Sequence, residues 1–287
     1  MTLRLTAPIL AAGLLLAGMA HAQDTLYFSA IPDEDETRLA ERFGAVAEYL
    51  SEELDVPVQF VPVKSYPAAV TAFRNDQVQL AWFGGLSGVQ ARLVVPGARA
   101  IAQGDEDTSF VSYFIAHTDT GLTQSDDFPE AARGMSFTFG AKTSTSGRLM
   151  PEFAIRENTG EAPEEFFDRV GFSGDHSQTL RLVASGAWQV GALNFTVYDQ
   201  AVADGAPEVE TAKVIWQTPP YPDYNWTIRG DVDARWGEGF ADRVQAALIG
   251  MDDPDLLAAF PRNAFIAATN DDYAPIEEVG RQLDLLE

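Results

Sequence analysis

The chain contains no cysteine. Disulfide cross-links, thiolate nucleophiles and Cys-based metal sites are therefore excluded. Basic residues are few: 19 Lys and Arg stand against 43 Asp and Glu, for a formal net charge of −24. Such a surface repels nucleic acid and anionic lipid and favours solubility. Histidine is scarcer still, at three residues. Neither a His-Glu-x-x-His pair nor a Gly-x-Ser-x-Gly elbow occurs, so no catalytic residue is expected. Acidic runs such as Asp33-Glu34-Asp35-Glu36 read as solvated rather than metal-binding, and neither a metal nor a cofactor is expected.

Long apolar runs are missing too. The stretch from Pro8 to Met19 is shorter than the about 20 residues a spanning helix needs. It follows Arg4 and precedes Ala20-His21-Ala22, the small-x-small pattern that signal peptidase requires. Residues 1–22 are therefore expected to be a cleaved export signal, with a mature periplasmic chain beginning at Gln23. About 265 residues then remain, enough for two domains of ordinary size with cores that need no cross-link. Loss of Arg4 makes the charge one unit more negative. Any anion site must work by local geometry against that field, helped by screening over about 8 Å at physiological salt.

What is present is an alternation of β-rich runs and amphipathic helices, which predicts an α/β fold. Strands are expected at Thr25 to Ile31, Val58 to Val63 and Val78 to Phe83, with helices over Glu36 to Glu53 and Tyr66 to Asn75 and another after Gly84-Gly85. The pattern then repeats. Strands are expected at Gly134 to Phe139, Arg169 to Phe172, Val190 to Leu193 and Lys213 to Trp216, with helices from about Arg148, Ser177 and Thr196. Two crossings between lobes are expected, near Tyr113 to Ala116 and near Tyr221 to Ile228. Lobe 1 would then hold residues 23–115 and 225–287, and lobe 2 residues 116–224. A hinged cleft between two such lobes can close on a small solute.

Candidate ligand groups gather where strands feed helices, the edge at which open α/β sheets bind ligands. Thr143-Ser144-Thr145-Ser146-Gly147 sets consecutive hydroxyls at a helix start, where unpaired N–H groups and the helix dipole favour an anion. Plain capping by one hydroxyl would account for the same residues. Phe83-Gly84-Gly85 permits a close backbone approach, or is simply a tight turn. Tyr66 opens a helix and could offer its hydroxyl. His176, after Ser173-Gly174-Asp175, could donate to an anion or cap a helix. Asn194 ends a strand at the same edge. Phe83, Trp82, Tyr198, Tyr221 and Tyr224 could wall the cleft, with Trp82 better placed in the core because it alternates with Phe83.

Together, Ile31-Pro32-Asp33, Tyr66, Leu80 to Gly85, Ser144 to Gly147, and His176 with Val190 to Asn194 resemble the phosphonate/phosphite-binding protein family of ABC importers. A closer likeness is to its selenate-binding branch, carried by Ala81 to Arg92 and Thr218 to Tyr224. The resemblance implies a type II periplasmic binding protein fold that captures a small oxyanion of the selenate, phosphite, phosphate or phosphonate type. It further implies a monomer delivering its ligand to an inner-membrane permease, or alternatively a sensor presenting a solute to a histidine kinase. Ligand-binding residues implied are Tyr66, Phe83, Gly84, Gly85, Ser144, Thr145, Ser146, His176, Asn194 and Tyr198. Phe83 departs from the family's usual tyrosine and lacks its hydroxyl. Around Asn194 to Asp199 the acid that holds a substrate amine is unmatched, which favours a smaller inorganic oxyanion over an aminoalkylphosphonate.

Overall fold

The computed structural model describes residues 24–34 and 36–286; the export signal expected over 1–22 lies outside them. In chain order the strands are β1 (Leu26–Ala30), β2 (Val58–Phe60), β3 (Leu80–Phe83), β4 (Arg99–Gly104), β5 (Ser112–His117), β6 (Ser136–Phe139), β7 (Arg169–Phe172), β8 (Val190–Asn194), β9 (Ala212–Gln217), β10 (Asn225–Ile228) and β11 (Phe265–Ala267). They form two sheets, one ordered β11-β4-β10-β3-β1-β2 and the other β7-β6-β8-β5-β9. Within them β2-β1-β3 and β7-β6-β8 run parallel, each with helical crossovers. Both sheets turn antiparallel at β10 and β5. The two lobes are thus α/β sandwiches of one design, with the first built from both ends of the described chain.

Side-chain alternation shows why these segments are strands. In β5, Phe114 and Ala116 pack on one face of the second sheet with Phe137, Phe139, Val190 and Ala192. Ile115 points to the opposite face, among Leu180, Val183 and Leu193, as a period of two demands. The first lobe is held by an aromatic cluster in which Phe43 meets Phe28, Phe60, Trp226 and Phe260 at 4.9–6.3 Å between ring centres. Among the described residues no helix is long and apolar enough to cross a membrane.

The segment expected as the first crossing, Tyr113 to Ala116, is the middle of β5 and pairs wholly inside the second sheet. Residues 112–115 therefore belong to the second lobe, and the chain crosses earlier, over 105–111. Apolar alternation alone does not distinguish a buried strand from an extended hinge. The second crossing covers 218–224, and Asn225 to Ile228, expected within it, is the central strand β10. The two crossings run antiparallel and pair: Phe110 and Tyr221 exchange both backbone bonds at 2.9 Å, and Asp223 N donates to Asp107 O at 3.0 Å.

A buried ion pair pins this hinge to the first lobe. Arg262 donates Nε and Nη2 to the two carboxylate oxygens of Asp107 at 2.8 and 2.7 Å, and Gly104 N donates to the same carboxylate at 3.0 Å. The guanidinium also lies 5.4 Å from the ring centres of Phe110 and Tyr224. Removing one partner of a buried pair strands the other charge, at about 3–5 kcal/mol. Asp107→Ala should therefore lower unfolding free energy by about that amount in urea titration; a loss below about 1 kcal/mol would show that the pair does not anchor the hinge.

Candidate functional site

The carboxyl ends of β1, β3, β6, β7 and β8 deliver five loops to the junction between the lobes. Gly140 and Gly147 pass so closely that Gly140 N donates to Gly147 O at 2.7 Å. A Cβ on Gly147 would stand 3.0 Å from both His176 Cε1 and Ser144 Oγ, so glycine is required there. The turn after Ser144 is wider than an α-turn: Leu149 N bonds Ser144 O, five residues back, at 3.0 Å, and the α-helix begins only at Met150. Such π-turns recur at functional sites. Ser144 caps this turn by accepting from Gly147 N at 2.9 Å, and the N–H groups of Thr145 and Ser146 have no intrahelical partner. The turn that Ser144 caps thus leaves those two N–H groups for a further acceptor.

Bonds between the lobes close over this loop. Leu86 N donates to Thr145 Oγ1 at 3.0 Å, and His176 N donates to Asp33 O at 3.0 Å. Asn194 Nδ2 donates to Tyr224 Oη at 2.9 Å. Gly85 N donates to Asp223 Oδ1 at 2.8 Å. All of Asp33, Tyr66, Ser144, Thr145, Ser146, His176, Asn194, Asp223 and Tyr224 are buried. A groove of about 620 Å³ lies outside this cluster, lined by both lobes at Glu34, Arg42, Thr196 and Gln200, and none of the nine lines it.

Four buried polar atoms in the cluster have no partner: Tyr66 Oη, His176 Nε2, Asp33 Oδ1 and Asp223 Oδ2. Such atoms cost stability unless a ligand or water satisfies them. Two are donors. His176 is fully buried, and burial lowers its pKa to about 3, so the ring is neutral. Its Nδ1 accepts from Asn194 N at 3.2 Å, which assigns the ring proton to Nε2. Burial and the nearby Asp33 carboxylate push the Tyr66 phenol well above its ordinary value, keeping its proton. The other two are carboxyl oxygens: burial raises Asp33 to about 6 and Asp223 to about 7, so at neutral pH Asp33 is mostly ionised and accepts while Asp223 both accepts and donates.

The expected site residues divide accordingly. Tyr66, Ser144, Thr145, Ser146 and His176 come together. Gly84 and Gly85 are also present, but the Gly85 N–H is committed to Asp223, and a Cβ on Gly84 would stand 3.2 Å from that carboxylate. Asn194 spends its amide on Tyr224 and its carbonyl on Val197 N, so it orients neighbours. The Phe83 ring packs in the first-lobe core against Phe73 at 5.7 Å. Tyr198 does not join the cluster: it packs with Leu180 and Val183, and its hydroxyl donates to Ala212 O. Trp82 is in the core, stacked on Tyr224.

Asp33 and Asp223 went unassigned in the sequence. Asp33 lies in an acidic run expected to be solvated, yet it is 3% exposed. Their sequence signals were the family-like Ile31-Pro32-Asp33 and, for Asp223, the segment Thr218 to Tyr224.

A family model described as ABC transporter, phosphonate, periplasmic substrate-binding protein matches residues 28–273. The chain belongs to this family. It is 39% identical over 266 residues to the probable ABC transporter phosphite binding protein PhnD1 of Prochlorococcus marinus, with 90% of each chain covered. The solved structure of PhnD1 from that organism, in complex with methylphosphonate, matches with a TM-score of 0.88 over 91% of this chain and 98% of its own. A binding protein component of an ABC phosphonate transporter from Pseudomonas aeruginosa, 20% identical, shares the fold at a TM-score of 0.78 over 90% and 85% of the two chains. Membership sides with the importer reading over the kinase-sensor alternative: the family consists of periplasmic solute-binding components.

Because His176 takes up its proton near 6.5 when unfolded and near 3 when folded, it contributes stability above pH 6.5 that is lost as pH falls toward 3. Asp33 and Asp223 act in the opposite sense, their contribution fading as pH rises through about 6 and 7. Comparing the parent with His176→Asn isolates the histidine. Between pH 7 and 5 the parent should lose about 2 kcal/mol relative to the variant in chemical denaturation. Parallel pH profiles would contradict a neutral, buried His176.

Proposed function

We propose that this chain captures a small phosphorus oxyanion of the methylphosphonate or phosphite class between its lobes, as a singly protonated species, and delivers it to an inner-membrane permease. The observation that carries this reading is the convergence of unpartnered donors, Tyr66 and His176, with unpartnered carboxylate oxygens, Asp33 and Asp223, in one buried cluster. A fully ionised oxyanion offers only acceptors, and two carboxylates against it would repel. A proton shared between a ligand oxygen and a carboxylate turns that repulsion into a charge-assisted hydrogen bond.

Phosphonates, phosphite and phosphate retain a proton near neutral pH; sulfate and selenate do not. The carboxylate pair thus argues for phosphorus over the selenate that the branch likeness implied. The match to a relative solved with methylphosphonate supports the same choice. Donors sufficient for micromolar binding are at hand. Each charge-assisted hydrogen bond gives about 1.5–3 kcal/mol, and about −8 kcal/mol is needed after association costs. Tyr66, His176, the Ser144 hydroxyl and the backbone N–H groups of Thr145 and Ser146 supply five. None is a formal cation, so the ligand can leave again when the lobes open.

Calorimetric titration at pH 7 tests the reading. Methylphosphonate or phosphite should bind at least tenfold more tightly than sulfate or selenate, and the Ser144→Ala, Ser146→Ala double variant should lose at least tenfold in affinity with its melting temperature retained. Selenate binding as tightly as the phosphorus anions would refute the shared-proton selection. An unchanged Kd in the double variant would remove the loop from the site.

A further inference from the structure

We propose that Tyr221 and Ser112 are positioning residues for the anion, the origin of a one-way hydrogen-bond relay that begins at the hinge and ends on the Ser144 hydroxyl. This inference rests on the proposed binding of an oxyanion and assigns a role to hinge side chains that do not themselves meet it. Tyr221 was a candidate for the aromatic wall, but its hydroxyl is turned elsewhere. It lies 2.5 Å from Ser112 Oγ, and both residues are buried.

The direction of the relay follows from proton counting. Ser112 Oγ donates to Ser146 O at 2.7 Å. A hydroxyl carries one proton, so in the short contact Tyr221 must donate and Ser112 accept. The peptide that accepts at Ser146 O carries the Gly147 N–H on its other side, and that N–H donates to Ser144 Oγ at 2.9 Å. Ser144 Oγ is thereby used as an acceptor, and its own proton is free to point away from the loop. Tyr66 lies beside it, with its hydroxyl in reach of the Ser144 hydroxyl. The chain therefore reads Tyr221 O–H, Ser112 O–H, the 146–147 peptide, Ser144 O–H, with every donor facing the same way.

Two consequences follow. Hydrogen bonds in such a chain polarise one another, so the last donor is strengthened where it meets negative charge. The relay also starts on both hinge crossings: Ser112 opens β5, Ser112 N donates to Thr218 Oγ1, and Tyr221 pairs with Phe110. Hinge geometry and loop orientation are coupled through four groups.

Tyr221→Phe removes the first donor and leaves the ring packing in place; Ser112→Ala removes the link to the Ser146 carbonyl. With methylphosphonate and phosphite as probes, Tyr221→Phe should raise Kd about five- to tenfold and Ser112→Ala by more, with melting temperatures close to the parent. The decisive readout is a double-mutant cycle with Ser144→Ala. If the relay acts through Ser144, Tyr221→Phe adds less than twofold in the Ser144→Ala background. An equal loss in both backgrounds overturns the relay, as does parent-like affinity in both Tyr221→Phe and Ser112→Ala. Failure of the parent to bind either probe overturns the functional reading on which the relay rests.

Discussion

Sealing polar groups between two lobes is favourable only when each finds a partner, and this requirement organises the whole molecule. Most of the interlobe cluster meets it within the protein: the Leu86, Gly85 and His176 N–H groups all bond across the junction. The four atoms left over are not scattered. They belong to buried residues at the junction of the lobes, and the proposed ligand is their complement. A dry cleft with that inventory selects for a solute that can accept and donate at once.

Charge management follows from the same constraint. The protein's overall charge of −24 opposes anion entry, yet no formal cation has to face the ligand. Burial keeps His176 neutral and fixes its Nε2 as a donor, while Tyr66 keeps its phenolic proton. Arg262, a guanidinium buried near the hinge, is consumed by Asp107 and pins the first crossing to the first lobe. In the proposed reading, recognition is left to dipoles, hydroxyls and shared protons. Those interactions bind without trapping, which suits a receptor that must release its load.

Sequence reasoning captured the parts governed by local rules. Strand-to-helix alternation located the parallel strands, and the hydroxyl-rich turn and His176 stood out through their shared position where strands feed helices, since capping alone would explain each singly. It failed where long-range burial decides. Tyr113 to Ala116 looked like a connector, but cross-strand pairing on both sides makes it a central strand. Asp33 sat in an acidic run typical of solvated surface, and only closure against His176 buries it. Tyr198 had the right position after Asn194, yet it packs against Leu180 and Val183 and its hydroxyl donates to Ala212 O. The resemblance to a family located the site as a whole; the distinction between ligand groups and supports needed coordinates.

The central claim is that ligand and carboxylates share a proton. Calorimetry of methylphosphonate binding at pH 9, repeated in buffers of different ionisation enthalpy, measures the protons exchanged. At that pH both the free ligand and the carboxylates, raised only to about 6 and 7, are largely deprotonated, so binding should take up close to one proton. Binding with no proton uptake would contradict the account.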